Sequence, residues 1–130
     1  MVHNYRKGYT AEREMVHTLA KRGYMTIRAP RSGRIMLASP DVIAVKAGKI
    51  IVIECKSRKN AFTIPLDQLS QLREWEEKGG ARAYVAWKIA HKGWTLLDIA
   101  TVEKNKGNIG KKFAEVNGFG LDDLEKRTFG

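Results

Sequence analysis

Two runs rich in Val and Ile, separated by a short polar turn, restrict the folds that this chain can adopt. Residues 41–45 and 50–56 consist largely of the β-branched residues that are typical of strands. Between them lies the turn Lys46-Ala47-Gly48-Lys49, which contains a glycine. This arrangement predicts a β-hairpin, so the fold must contain a sheet.

The turn also predicts the register of the hairpin. If the turn closes directly, Val45 lies opposite Ile50, and the same register places Asp41 opposite Glu54. Side chains alternate between the two faces of a strand, so Lys56 shares the face of Glu54. Two acids and a lysine are therefore predicted to meet at the open end of the hairpin.

Two carboxylates that face each other on neighbouring strands repel and destabilise the sheet. A divalent cation between them removes the repulsion, and Mg²⁺ suits such a site because it prefers oxygen ligands and keeps several waters. Lys56 can then polarise a water on the metal or stabilise charge on a phosphate. The structural alternative is a salt bridge from Asp41 or Glu54 to Lys56 at the sheet edge.

The rest of the chain adds two helices and three strands to the hairpin. The periodicity of apolar residues predicts helices over residues 9–22 and 66–78, and strands over residues 24–29, 81–88 and 94–100. The order is helix, three strands, helix, two strands, which predicts an α/β fold with a mixed five-stranded sheet flanked by helices. One domain is expected over 1–130, with a core over about 5–100. Residues 101–130 receive no role beyond one or two helical turns over residues 121–126.

Glu12 lies within the apolar stripe of the first predicted helix. At 100° per residue this stripe is formed by Ala11, Met15, Val16, Leu19 and Ala20. A carboxylate that faces inward needs a cation or a hydrogen-bond donor, because its desolvation alone is costly. The alternative is a partly solvated glutamate near the start of a helix, where the helix dipole favours acids.

Charge is distributed unevenly along the chain. The net charge is +10, and residues 1–60 hold 13 Lys/Arg against 4 Asp/Glu. Such an excess indicates a polyanionic partner, although basic surfaces also serve solubility alone. The four acids in this basic half are Glu12, Glu14, Asp41 and Glu54.

Composition predicts the cellular setting. Cys55 is the only cysteine, which excludes disulfides and indicates a reducing compartment. Every apolar run, including residues 50–53, is far shorter than the roughly 20 residues of a membrane helix. We expect a cytoplasmic, nucleoid-associated protein with no membrane contact, and an inert Cys55 thiol packed on the face opposite Glu54.

Pro40-Asp41 followed by Glu54-Cys55-Lys56 resembles the PD-(D/E)xK signature of a nuclease superfamily. Glu12 resembles the additional upstream acid that often accompanies this signature. A closer resemblance, covering roughly residues 5–100, is to the archaeal Holliday junction resolvases. It is carried by residues 6–8 (RKG) and 11–14 (AERE), 28–33 (RAPRSG), 40–44 (PDVIA), 54–59 (ECKSRK), Gln68, 79–80 (GG), 85–88 (VAWK) and 93–94 (GW).

The resemblance implies a restriction-endonuclease-like core and a homodimeric, Mg²⁺-dependent endonuclease that cuts four-way DNA junctions. Mn²⁺ is expected to replace Mg²⁺, and no small-molecule cofactor is expected. The catalytic positions are Glu12, Asp41, Glu54 and Lys56, of which the three acids bind the metal, with Gln68 in support. DNA contacts are expected from Arg6, Lys7, Arg13, Arg28, Arg31, Ser32, Arg34, Arg58 and Lys59.

Two other functions remain open from the sequence. One is a repair or restriction endonuclease built on the same core, although 130 residues leave little room for a recognition domain. The other is a non-catalytic, architectural DNA-binding module in which the acids bridge to arginines. Metal-dependent cleavage separates the catalytic from the architectural function.

Overall fold

The structure is a computed structural model that describes residues 2–29, 39–89 and 91–129, with side chains from Tyr9 onward. Helices and strands alternate along the chain. Their order is α1 (Val2–Lys21), β1 (Met25–Arg28), β2 (Val42–Lys46), β3 (Lys49–Ser57), β4 (Phe62–Thr63), α2 (Leu66–Gly79), β5 (Arg82–Ile89), β6 (Gly93–Asp98), α3 (Ile99–Lys104), β7 (Asn108–Ile109), α4 (Lys111–Asn117) and α5 (Leu121–Phe129).

Five of the strands form one mixed sheet in the order β1-β2-β3-β5-β6. Only β3 and β5 pair in parallel, and the other three pairs are antiparallel. The predicted α/β class and the mixed five-stranded sheet are thus confirmed. A second, two-stranded sheet pairs β4 with β7, and the sequence analysis did not predict it.

The predicted register of the hairpin is confirmed. Val45 pairs with Ile50, and the ladder continues to Val42 opposite Ile53, one residue short of the predicted pair of acids. The turn is tighter than the four residues expected, because Lys46 pairs with Lys49 and only two residues remain in the loop. Those residues have φ angles of +49° and +79°, as a type I′ turn requires.

Helices cover both faces of the sheet and bury two apolar cores. Met15 and Leu19 of α1 pack on one face, together with Cys55, whose predicted burial opposite Glu54 is confirmed. Leu69 and Leu72 of α2 pack on the other face, around the fully buried Trp87. Over the described ranges, no helix combines the length and the apolar character needed to cross a bilayer.

The C-terminal third is more ordered than its composition predicts. The last strand of the main sheet ends at Asp98 rather than at residue 100, because the Asp98 side chain accepts a hydrogen bond from the Thr101 amide and caps α3. Residues 101–129 then form the rest of α3, β7, α4 and α5. Helix α1 is also longer than predicted, since it begins at Val2 rather than near Tyr9.

The hairpin turn generates a stability prediction. Ala47 is held at φ +49°, a left-handed conformation that alanine adopts at a cost and that asparagine tolerates better. We expect Ala47→Asn to raise the free energy of unfolding by about 1 kcal/mol, measured by urea denaturation. The matched control is Gly48→Ala, which has open space for a methyl group but should lose about 1 kcal/mol through its positive φ. A loss of stability in Ala47→Asn, or a gain in Gly48→Ala, would contradict the turn assignment.

Candidate active site

Asp41 immediately precedes β2 and is bound to the strands on both sides. Its backbone carbonyl accepts a hydrogen bond from the Ala29 amide at 2.9 Å, just beyond the end of β1. Its carboxylate Oδ2 accepts one from the backbone amide of Cys55 in β3 at 2.8 Å. The carboxylate is therefore held against β3 at the level of Glu54 and Cys55, close to the position that the hairpin register predicts.

Glu54 points to the face of the sheet that α2 covers. Its Oε2 accepts a hydrogen bond from the Gln68 side-chain amide at 2.7 Å. The same oxygen lies 3.6 Å from the ammonium Nζ of Lys56, so the two side chains share a face as predicted. Gln68 lies near the start of α2, so the helix restrains the Glu54 carboxylate on the sheet.

Glu12 is bound by a cation from a neighbouring strand. Its Oε1 accepts a hydrogen bond from Nε of Arg28, the last residue of β1, at 2.8 Å. The Arg28 guanidinium in turn lies 4.4 Å from the ring centroid of Tyr9, a second residue of α1. The inward-facing glutamate that the helical periodicity predicts thus has a cationic partner.

Burial sets these three acids apart from the other charged side chains. Across the described residues, the buried polar or charged residues are Glu12 (1% exposed), Glu54 (4%), Asp41 (6%) and Thr128. Removing a carboxylate from water has a cost of several kcal/mol unless other groups compensate it. Three buried carboxylates in one small domain are therefore expensive, and each is held by a donor named above.

A further feature of the site is its capacity to hold a metal ion. Within residues 2–29, 39–89 and 91–129, no group of three or more His, Cys, Asp or Glu is placed to hold a metal ion. Mg²⁺ is commonly held by only one or two carboxylates together with waters. Asp41 and Glu54, both oxygen donors at the open end of one hairpin, match that simpler requirement.

The predicted DNA contacts fall into three groups. Arg13, Arg58 and Lys59 are exposed. Arg28 is instead engaged by Glu12 and is only partly exposed. Arg31, Ser32 and Arg34 lie outside the described residues, as do the side chains of Arg6 and Lys7.

Trp87 supports the site in a way that its place in the hydrophobic pattern does not indicate. Trp87 pairs with Lys56 across the parallel strands β3 and β5. Its indole Nε1 donates a hydrogen bond to the backbone carbonyl of Arg58 at 2.9 Å. This hydrogen bond fixes the position of the Arg58 backbone, where the basic residues Arg58 and Lys59 follow β3. The hydrophobic pattern marks Trp87 as core but cannot show which strand lies beside it.

The Glu12–Arg28 pair generates a prediction on stability. Arg28→Ala should lower the free energy of unfolding by about 2 kcal/mol, because it leaves a buried carboxylate without its cation. The figure lies below that for a fully buried pair because the Arg28 side chain is 31% exposed. In a Glu12→Gln background the same substitution should have much less effect, which a double-mutant cycle in urea measures. Additive losses would contradict a coupled pair.

Comparison with known proteins places this geometry in a family. Residues 3–129 match the family described as archaeal Holliday junction resolvase (hjc). Crossover junction endodeoxyribonuclease Hjc of Sulfolobus acidocaldarius is 43% identical over 90 residues, which span 67% of this chain and 63% of that protein. The protein of the same name from Archaeoglobus fulgidus is 31% identical over 122 residues, spanning 86% of this chain and 90% of that protein.

Solved structures agree with the sequence comparisons. The structure of Archaeoglobus fulgidus Hjc, described as a Holliday junction resolvase from an archaeal hyperthermophile, superimposes with a TM-score of 0.82 at 27% identity. It covers 90% of this chain and 98% of that chain. The family match also includes residues 101–129, which lie beyond the motifs that carry the resemblance. The chain belongs to the archaeal Holliday junction resolvase family.

Proposed function

We propose that this chain is a Mg²⁺-dependent endonuclease that resolves four-way DNA junctions. The observation that carries the proposal is the burial of Asp41 and Glu54 at the open end of one hairpin, with Lys56 directed at Glu54. Membership of a family whose relatives are named crossover junction endodeoxyribonucleases supports the same activity. We further propose that residues 1–130 act as one nuclease domain in the cytoplasm, at the nucleoid.

Asp41 and Glu54 would hold the metal, and Glu12 would be the third acid that contributes to metal binding. The fit rests on donor chemistry, because carboxylate oxygens are the ligands that Mg²⁺ prefers. Mn²⁺ should replace Mg²⁺, because it accepts the same oxygen ligands. When bound, the cation activates water for attack and offsets charge on the phosphate.

Protein groups then position the reacting phosphate. The Lys56 side chain is 18% exposed, so its ammonium acts in a poorly solvated environment, where a fixed charge stabilises developing negative charge more strongly than in water. Gln68 limits the rotamers of Glu54 through its 2.7 Å hydrogen bond. Arg28 has the same role for Glu12 through its 2.8 Å contact. These contacts preorganise the acids before DNA binds.

Substrate recognition requires two copies of the site. A four-way junction has approximate two-fold symmetry, so a C2 homodimer can present one active site to each of two opposed strands. The exposed Arg13, Arg58 and Lys59 would contact phosphates near each site. Arg6, Lys7, Arg31, Ser32 and Arg34 are assigned to the same role on the basis of their sequence positions.

One observation favours a second candidate, the architectural DNA-binding module. Glu12 is paired with Arg28, and Glu54 lies in ion-pair range of Lys56, which is the pattern expected if the acids serve only to bridge cations. A labelled synthetic junction and a linear duplex of the same sequence, each incubated with Mg²⁺ or with EDTA, separate the two functions. Cleavage of the junction in Mg²⁺ but not in EDTA identifies the enzyme, whereas binding without cleavage in either identifies the module.

Substitution of the two hairpin acids tests the metal site. Asp41→Asn and Glu54→Gln should each reduce cleavage of the junction by orders of magnitude, since the cation loses a ligand, while binding of the junction persists or tightens. The matched control is Glu14→Gln, because Glu14 is partly exposed and pairs with Lys88 outside the site. Glu14→Gln should cleave normally, and normal cleavage by the Asp41 or Glu54 variant in Mg²⁺ would contradict the assignment.

Substitution of Lys56 tests charge stabilisation. Lys56→Ala should reduce the single-turnover cleavage rate at saturating junction by about 10²-fold or more, with little change in the dissociation constant. Lys49→Ala, at the opposite end of the same strand, is the control and should leave both quantities unchanged. If Lys56→Ala weakened binding alone, Lys56 would be a phosphate contact rather than a catalytic residue.

A further inference from the structure

The C-terminal segment is attached to the part of the chain that leaves the catalytic hairpin. Strand β4 begins three residues after Lys59 and pairs antiparallel with β7. The amide of Ile64 donates a hydrogen bond to the carbonyl of Gly107 at 2.9 Å, and the Thr63 hydroxyl bonds the Asn108 side chain at 2.8 Å. Residues 106–112 are therefore fixed beside the basic run that follows β3.

This attached segment is strongly and locally basic. Residues 99–117, from α3 to the end of α4, contain four lysines and two acids, Glu103 and Glu115. Glu103 forms an ion pair with Arg73 of α2. We use the name lysine rim for three exposed residues that border the β4–β7 sheet: Lys106, Lys111 and Lys112.

The backbone that carries the lysine rim has a defined shape. Lys106 has a φ angle of +57°, which is uncommon for a residue with a side chain and places it at the corner of a tight turn. Gly107 follows at φ +86°, where a Cβ atom would lie only 2.3 Å from the carbonyl oxygen of Ile64. The turn is therefore in close contact with the segment after β4, and Lys111 and Lys112 follow as the first two residues of α4.

An open groove lies along the paired strands β4 and β7. It has a cavity volume of about 320 Å³. The lining residues carry no charge: Ala61, Phe62, Thr63, Asn108, Ile109 and Gly110. In the chain, Arg58 and Lys59 precede one wall, while Lys106 and Lys111 flank the other. A groove that no acid lines, and whose two strands are each flanked in the chain by basic residues, can receive a polyanionic backbone.

We propose that the lysine rim is a second phosphate-contacting surface, which receives a duplex arm of the DNA substrate beyond the catalytic hairpin. The inference rests on the proposed function, because it extends the surface on which Arg58 and Lys59 are proposed to contact DNA phosphates. Lysine ammonium groups contact phosphates as point charges and read no bases. The surface therefore contributes affinity along the arm and leaves the choice of cleavage position to the catalytic site.

The test removes the three charges without changing the backbone. In the triple variant, Lys106→Asn keeps a residue that tolerates positive φ, and Lys111→Gln and Lys112→Gln keep side chains of similar length. Binding to a junction and to its linear duplex is measured in EDTA over a range of salt. Each lost phosphate contact should flatten the log–log salt slope by about 0.9, or about 2.7 for three contacts. Over a fourfold rise in salt, wild-type affinity should thus fall about 40-fold more than that of the variant.

A charge-matched control separates a located surface from net charge. Lys21→Gln, Lys49→Gln and Lys126→Gln together remove the same charge from exposed positions away from the β4–β7 sheet. This control should keep the wild-type slope. Shortening the junction arms stepwise should also abolish the difference between wild type and the lysine-rim variant, since short arms cannot reach the rim.

The outcomes distinguish this inference from the proposed function. If wild type cleaves the junction with Mg²⁺ but the lysine-rim variant keeps the wild-type slope, the second surface is absent and the nuclease stands. If the charge-matched control loses as much slope as the lysine-rim variant, net charge explains the effect and the surface is again rejected. If wild type neither cleaves nor binds the junction, the proposed function itself fails. Urea denaturation of both triple variants verifies that each is folded.

Discussion

The burial of carboxylates at one end of a hairpin is the constraint on which the rest of this structure depends. Asp41 and Glu54 are almost completely removed from water, which opposes folding unless donors surround them. The donors come from several elements: the Cys55 amide in β3, Gln68 in α2 and Lys56 on the same strand. Placing these groups requires the hairpin register, the helix behind it and the tight turn at Ala47 and Gly48 to be correct together.

Such an arrangement favours function over stability. Replacing a buried ion pair by apolar residues of similar volume is often neutral or stabilising, so an ion pair within a core is weak support for a purely structural role. Here three acids are buried while the apolar cores on either face of the sheet are already large. Destabilising groups of this kind concentrate where chemistry needs them. This physical argument favours the nuclease over the architectural module, although both can form the same ion pairs.

The surface charges of residues 61–130 are also arranged unevenly. Residues 61–130 hold nearly equal numbers of acids and bases, yet their bases are not spread evenly. Acids such as Glu103 and Glu125 are engaged by Arg73 and Lys46 at other places in the fold. What remains near β4 and β7 is a local excess of lysine beside the end of β3. A balanced count in the sequence can therefore conceal a basic surface.

The sequence by itself determined the hairpin, its register, the shared face of Glu54 and Lys56, and the inward direction of Glu12, because these follow from periodicities of two and 3.6 residues. It also predicted the class of the sheet. Only the tertiary structure decided that Arg28 binds Glu12, that Trp87 holds the Arg58 carbonyl, and that β7 pairs with β4. The last two contacts join residues far apart in the chain, through the parallel pair of β3 with β5 and the pairing of the two-residue strands β4 and β7. Local propensity carries no signal for either, because long-range packing selects them.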